Sequence, residues 1–207
     1  MSANQCEIRV LDDDPQVLAS VERLLATHTL PVRTFATVEE FFAAGPPEVP
    51  ACLLLDQHLG PAKGTEVHAA IQARGWHLPT IFLTADSDVH IVVDALRGGA
   101  DNYLTKPYAP AELIAAIERC LEQARQHWEQ KRGNDEFIRR AATLTERERN
   151  IVRFVLGGLL NKEIADRLGI ALVTVKVHRG RAMRKLGSRN PAELAHRAAQ
   201  VGLTPLA

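Results

Sequence analysis

Residues 51–64 read ACLLLDQHLGPAKG. An apolar run, Cys52 to Leu55, ends in one carboxylate, Asp56, and the next basic residue is Lys63. A short, continuous apolar run bounded by turn residues predicts a strand buried on both faces of a parallel sheet. Such a strand carries Asp56 to its C-terminal end. In open α/β sheets ligands bind beyond the carboxyl ends of the strands, so the reading turns on what the other strand ends carry.

Working outward, residues 6–11 predict a strand. PQVLASVERLLA then predicts a helix with Val17, Leu18, Val21, Leu24 and Leu25 on one face. A strand over 32–35, a helix around 38–44 and the loop GPPEVP lead to the opening stretch. Beyond it the pattern predicts a helix over 64–73, a strand in LPTIFLT, a helix striped by Val89, Val92, Val93 and Leu96, a strand in NYLT, and a helix striped by Leu113, Ile114, Ile117 and Leu121. Five strands alternating with five helices predict an α/β doubly wound, five-stranded parallel sheet.

The strand ends converge in composition. The first ends in LDDDP, the third in Asp56, the fourth in Thr84 and the fifth in TKP, which contains Lys106. Asp14 before Pro15 is explained as a helix N-cap with proline at the first helical position. Asp12 and Asp13 are not. Carboxylates brought together in one crevice repel by about 4 kcal/mol per pair at ~4 Å and an effective dielectric of ~20. The cluster needs cations, of which Lys106 is one. A hard divalent ion supplies the rest, and Mg²⁺ accepts a few carboxylates plus water.

Zero net charge hides a split. Residues 1–118 carry 7 Lys/Arg against 16 Asp/Glu, residues 119–142 carry 6 against 4, and residues 143–207 carry 12 against 5. An acidic front and a basic tail predict two domains with different partners, the tail suited to a polyanion. Three cysteines, Cys6, Cys52 and Cys120, are widely spaced and predict reduced core thiols in a cytoplasmic protein. No apolar run approaches the roughly 18 residues of a membrane span, and the N-terminus lacks a signal-peptide layout.

These strand ends, in this order, resemble the receiver domain of two-component response regulators over residues 5 to about 122. The resemblance implies that Asp56 accepts a phosphoryl group from a histidine kinase. It implies Mg²⁺ held by Asp13, Asp56 and the His58 backbone carbonyl, with Asp12 acting through water. Thr84 would bond a phosphoryl oxygen, Lys106 would pair with the phosphate, Lys106–Pro107 would be cis, and Tyr103 would follow the state of Thr84. The surface of the fourth helix, fifth strand and fifth helix would then shift between two packings. Gly60 stands where receivers usually carry proline, and Pro61 follows; Gly64 falls at the family's place.

Residues 123–142 predict an extension of the fifth helix that breaks at Gly133–Asn134 into a polar linker. The tail opens with LTERERNIVRFVLGG, in which Thr145 and Glu148 predict a capping box and Ile151, Val152 and Val155 a core stripe. NKEIADRLGIALVTVKVHRGRAMRKLG then predicts a helix from an Asn161 cap to Leu168, a turn at Gly169, and a longer helix to Leu186, the helix-turn-helix pattern. On the longer helix Leu172, Val175, Ala182, Met183 and Leu186 fall inward, with Arg179 among them. Thr174, Val177, Gly180, Arg181 and Arg184 fall on the other side, flanked by Lys176 and Lys185. No acid occurs between Asp166 and Glu193, and an acid-free face on such a helix predicts double-stranded DNA.

Residues 143–205 resemble the LuxR-type DNA-binding domain, and the whole chain resembles the NarL/FixJ family, FixJ-like members above all. The resemblance turns Lys176, Val177 and Gly180 toward bases. It turns Asn161, Lys162, Thr174, Arg181 and Arg184 toward phosphates. Ala171 replaces a common capping Ser. The last helix, NPAELAHRAAQVG, carries the stripe Leu194, Ala198 and Val201, and in the family this helix also joins DNA-bound copies.

The expectation is a receiver domain over 1–122, a helical and polar linker over 123–142, and a small all-α helix-turn-helix domain over 143–207. It is a phosphorylation-activated transcription regulator, a homodimer when phosphorylated, with RNA polymerase as a further partner. It is not an enzyme beyond its own phosphoryl acceptance and slow autodephosphorylation. Two rivals stay open: a constitutive DNA binder whose receiver is only a docking surface, and an aspartyl-phosphate hydrolase using Asp12 and Asp14.

Overall fold

The computed structural model describes residues 6–85, 93 and 102–206. Two compact units divide the chain, Met1–Trp128 and Glu129–Ala207. In the first, β1 (Glu7–Leu11), β2 (Val32–Phe35), β3 (Ala51–Asp56), β6 (Thr80–Ala85) and β7 (Asn102–Lys106) form a five-stranded sheet in the order β2-β1-β3-β6-β7. All four pairings are parallel. A small antiparallel hairpin, β4 (His58–Leu59) with β5 (Ala62–Lys63), follows β3. The predicted helix at Val89, Val92, Val93 and Leu96 lies outside the described residues except for Val93, which is helical.

β3 is buried along its whole length, as a central strand covered on both faces must be. Its alternating side chains feed two cores. Cys52 and Leu54 enter the one built with Val21, Leu25, Leu113 and Ile117. Leu53 and Leu55 enter the other, with Phe35, Phe41, Val67 and Phe82. Helix α1 (Pro15–Thr27) begins as predicted, Asp14 Oδ1 accepting from the Gln16 amide at 2.8 Å with Pro15 in the first turn. Helices α2 (Val38–Ala43) and α3 (Gly64–Ala73) also fall where the pattern puts them. The three cysteines are free and buried.

Helix α4 runs without interruption from Pro110 to Ala142. The predicted break at Gly133–Asn134 does not occur. A helical glycine costs about 1 kcal/mol, whereas burying Phe137, 1% exposed, contributes about 1.5–3 kcal/mol. The Arg197 guanidinium also lies 4.7 Å from the Phe137 ring centroid. What reads as polar linker therefore contributes a core residue to the second unit.

That unit continues with α5 (Glu146–Leu156), α6 (Asn161–Leu168), α7 (Leu172–Leu186) and α8 (Pro191–Gln200). The capping box is present, with the Glu148 amide donating to Thr145 Oγ1 at 3.3 Å and the Thr145 amide to Glu148 Oε2 at 2.9 Å. Asn161 is not a cap but the first residue of α6. The Leu160 amide before it donates to Glu163 Oε2 at 2.6 Å, and Asn161 Oδ1 accepts from Arg179 Nη1 at 2.5 Å. That bond accounts for an arginine on the inward side of α7. Gly169 turns the chain at φ 62°, in the left-handed region that glycine enters freely. Val175, Ala182 and Leu186 are buried, but Leu172, predicted inward, is 42% exposed because it stands in the first turn of α7.

Candidate functional site

The sheet brings Asp12 and Asp13, just after β1, and Asp56, at the end of β3, to one rim with Lys106 at the end of β7. Asp12, Asp13 and Asp56 each present a carboxylate oxygen, all within 4.8 Å of one another. Asp12 and Asp56 are buried and Asp13 is exposed. Lys106 Nζ donates to Asp12 Oδ2 at 2.8 Å and to Asp56 Oδ1 at 2.6 Å, so one ammonium bridges two strand ends. Backbone amides engage three of the remaining oxygens. The Asp14 amide donates to Asp12 Oδ1 at 2.9 Å, the His58 amide to Asp56 Oδ2 at 2.6 Å, and the Gly60 amide to Asp13 Oδ2 at 2.9 Å.

The balance of charge follows. Burial raises the Asp12 carboxyl above its ordinary pKa, and the bond from Lys106 only partly offsets it. Burial works against the Lys106 charge too, but the bonds to Asp12 and Asp56 outweigh it and raise the ammonium above its ordinary value. A lysine held charged beside crowded acids is the arrangement expected of a site that receives further negative charge.

Thr84 and Tyr103 lie on neighbouring strands. Thr84 is buried and its hydroxyl donates to the Ala85 carbonyl at 3.2 Å. Tyr103, half-buried, pairs in register with Phe82 and packs on the second core. The Lys106–Pro107 peptide is cis. Gly64 is required by space: a Cβ there would lie 2.3 Å from the Asp56 carbonyl oxygen. Asp14 stands apart from the acidic group and spends its carboxylate on capping α1, which leaves the Asp12/Asp14 hydrolase reading without its second acid.

In the second unit α7 presents two faces. Val175, Ala182 and Leu186 face the core, while Val173, Lys176, Val177, Gly180, Arg181 and Arg184 are exposed. Thr174 and Asn161 are half-buried and Lys162 is exposed. Lys185, predicted to flank the basic face, instead turns to the buried Glu148 at 2.6 Å and to the Thr143 carbonyl at 3.1 Å. Its bond is the first cause holding the Glu148 carboxyl below the usual range. Val173, which the sequence reading did not place on either face, stands one turn before Val177 and is exposed like it. Sequence reasoning missed the Gly60–Asp13 bond, which no local pattern signals.

Comparison with known proteins agrees with both halves. Residues 8–118 match the response regulator receiver domain, and residues 142–198 match the bacterial regulatory proteins of the luxR family. The transcriptional regulatory protein FixJ of Azorhizobium caulinodans is 33% identical over 96% of this chain and 94% of its own. The transcriptional regulatory protein TdiR of Thauera aromatica is 34% identical over 94% of this chain and 86% of its own. Among solved structures the response regulator StyR superposes with a TM-score of 0.81 at 34% identity, covering 95% of this chain and 99% of that one. With a receiver fold, an acidic rim closed by a lysine and a luxR-family helix-turn-helix in one chain, the protein belongs to the NarL/FixJ-type response regulators, the phosphorylation-regulated transcription factors of two-component systems.

Proposed function

We propose that Asp56 is the phosphoryl acceptor and that its phosphorylation sets the DNA-binding activity of the second unit. The observation that carries the reading is the pair of hydrogen bonds that Lys106 donates to Asp12 and Asp56 at the rim where Asp13 also arrives. Hard carboxylate oxygens in this number suit Mg²⁺. Asp13, Asp56 and the His58 backbone carbonyl would hold it, with Asp12 through water, and when bound it neutralises charge on the phosphoryl oxygens.

The residues of the chain then divide the work. An Asp56 carboxylate oxygen attacks phosphorus on the phosphohistidine of the kinase. The new P–O bond forms as the P–N bond breaks, its electron pair returning to the imidazole. Catalysis of this transfer is chiefly positioning and charge stabilisation. The His58 amide orients the acceptor, and Lys106 follows the new oxygens as its carboxylate partner becomes an acyl phosphate. The Thr84 hydroxyl exchanges the Ala85 carbonyl for a phosphoryl oxygen. Tyr103 takes up the space this vacates, which shifts the outer surface of β7 and α4 between two packings.

Lys176, Val177 and Gly180 are the base-facing positions of this reading. Asn161, Lys162, Thr174, Arg181 and Arg184 are its phosphate contacts. On phosphorylation the chain pairs with a second copy, and RNA polymerase is a further partner. Leu194 and Ala198 are buried in their own unit, so a pairing through α8 would use the exposed Ala192, Ala195 and Ala199. The regulator acts in the cytoplasm in this reading; no helix among the described residues is long and apolar enough to cross a membrane.

Acetyl phosphate with Mg²⁺ tests the reading. The wild type gains the mass of one phosphoryl group and tightens on duplex DNA, and Asp56→Asn does neither. An Asp56→Asn chain that still gains the group would overturn the assignment.

A further inference from the structure

We infer that Val173 and Val177 read thymine C5-methyl groups, so that two positions of each operator half-site are fixed by apolar contact. This rests on the proposed DNA-binding role of α7 and adds what that helix selects.

Val173 is 66% exposed and Val177 is 46% exposed. Singly exposed apolar residues are ordinary on a protein surface. Two β-branched residues one turn apart, on the exposed face of a basic helix, are a different case. The side chains that surround them are Lys176, Arg181 and Arg184, all exposed, and no acid occurs between Asp166 and Glu193. That charge commits the face to a polyanion, and the apolar stripe within it needs a partner that is anionic outside and locally apolar inside. The major groove is such a surface, where thymine alone presents a methyl group and apolar side chains are its natural contacts.

The spacing agrees. Four residues of helix advance about 6 Å along the axis, close to two base-pair steps of roughly 3.4 Å. Gly180, seven residues after Val173, continues the stripe. A Cβ built there meets nothing within 4 Å, so its smallness answers no neighbour in the fold and leaves room for the duplex to approach. Between Ala171 and Leu186 the helix carries no Asn, Gln, Asp or Glu, the side chains that read adenine or cytosine by hydrogen bonds. Of the base-facing positions only Lys176 brings a hydrogen-bonding side chain.

The test begins with selection of duplexes from a random pool by the full chain treated with acetyl phosphate and Mg²⁺. Each thymine of a selected duplex is then replaced singly by deoxyuracil, which removes the methyl and keeps the base pair. Two thymines in each half-site are expected to lose about fourfold in affinity, the worth of one buried methyl. Val173→Ser should abolish the loss at one of them and Val177→Ser at the other, with thermal unfolding unchanged because both residues are exposed. Salt-dependent binding that ignores uracil at every thymine overturns this inference and leaves DNA binding intact. A chain that retains no duplex in either phosphorylation state overturns the DNA-binding reading and this inference with it.

Discussion

The backbone amide of Gly60 donates to the carboxylate of Asp13 at 2.9 Å, joining positions 47 residues apart. Gly60 holds φ 61°, a left-handed conformation. A proline, usual at this place in receivers, has no N–H to give and fixes φ near −65°. Gly60→Pro is therefore expected to destabilise the first unit by more than the ~1–2 kcal/mol of left-handed strain that Gly60→Ala incurs. It should also weaken Mg²⁺ binding, since Asp13 loses the bond that orients it. Denaturant unfolding with and without Mg²⁺ measures both, and a proline variant as stable as wild type would show that the bond contributes nothing.

Among the described residues Lys106 is the one lysine or arginine bonded to both buried acids. Replacing it by Met leaves Asp12 and Asp56 facing each other without their shared ammonium. Breaking a buried pair costs about 3–5 kcal/mol. The Lys106 side chain is 30% exposed, so solvent screening lowers the expectation to about 1–3 kcal/mol. Millimolar Mg²⁺ should restore part of the loss, because a divalent cation replaces the missing charge. Urea midpoints with and without Mg²⁺ give the comparison.

Legibility in the sequence followed the range of the interactions. The sheet was readable because a buried central strand must be apolar on both faces, as Ala51 to Leu55 are, and Asp56 had to emerge at its end. The capping box of Thr145 and Glu148 was readable because both partners lie within one turn. Gly133 misled because a helix break is a local signal, while the burial of Phe137 that overrides it is tertiary. Lys185 misled for the same reason: a helical wheel assigns it a side, but Glu148, 37 residues away, decides where its charge goes. The wheel placed Arg179 inward but could not show its partner, Asn161, 18 residues away. At the acidic rim the residue types were legible. The bonds from Gly60 and His58 that orient the carboxylates were not, since backbone donors leave no mark in a sequence.

Gly180 lies inside α7 with a helical neighbour on either side and open space where a Cβ would stand. Gly180→Ala is expected to stabilise the second unit by about 1 kcal/mol through helix propensity alone. Protection of α7 amides against hydrogen exchange in the full chain should rise accordingly. Affinity for a selected duplex should stay level or fall, since the added methyl occupies the space left for the groove. A gain in both would mean that the glycine serves neither packing nor approach.

The Glu148–Lys185 pair is expected to contribute to the acid sensitivity of the second unit. Glu148 is buried and accepts from Lys185 and from the Thr145 amide, so its carboxyl is held below the ordinary glutamate value of 4.5, with the Lys185 bond the first cause. As pH falls past that value, the unfolded chain takes up a proton before the folded one does. Stability tied to this group is therefore complete above the ordinary value and is lost as pH falls through the lower, folded value. Lys185→Met removes the largest cause of the depression and leaves a buried carboxylate short of a partner, a cost of about 1–3 kcal/mol at neutral pH. Hydrogen exchange over 146–186 in the full chain, followed from roughly pH 7 to pH 4, is expected to show a shallower acid slope in this variant than in wild type. Parallel slopes would assign the acid sensitivity of this unit to some other carboxylate.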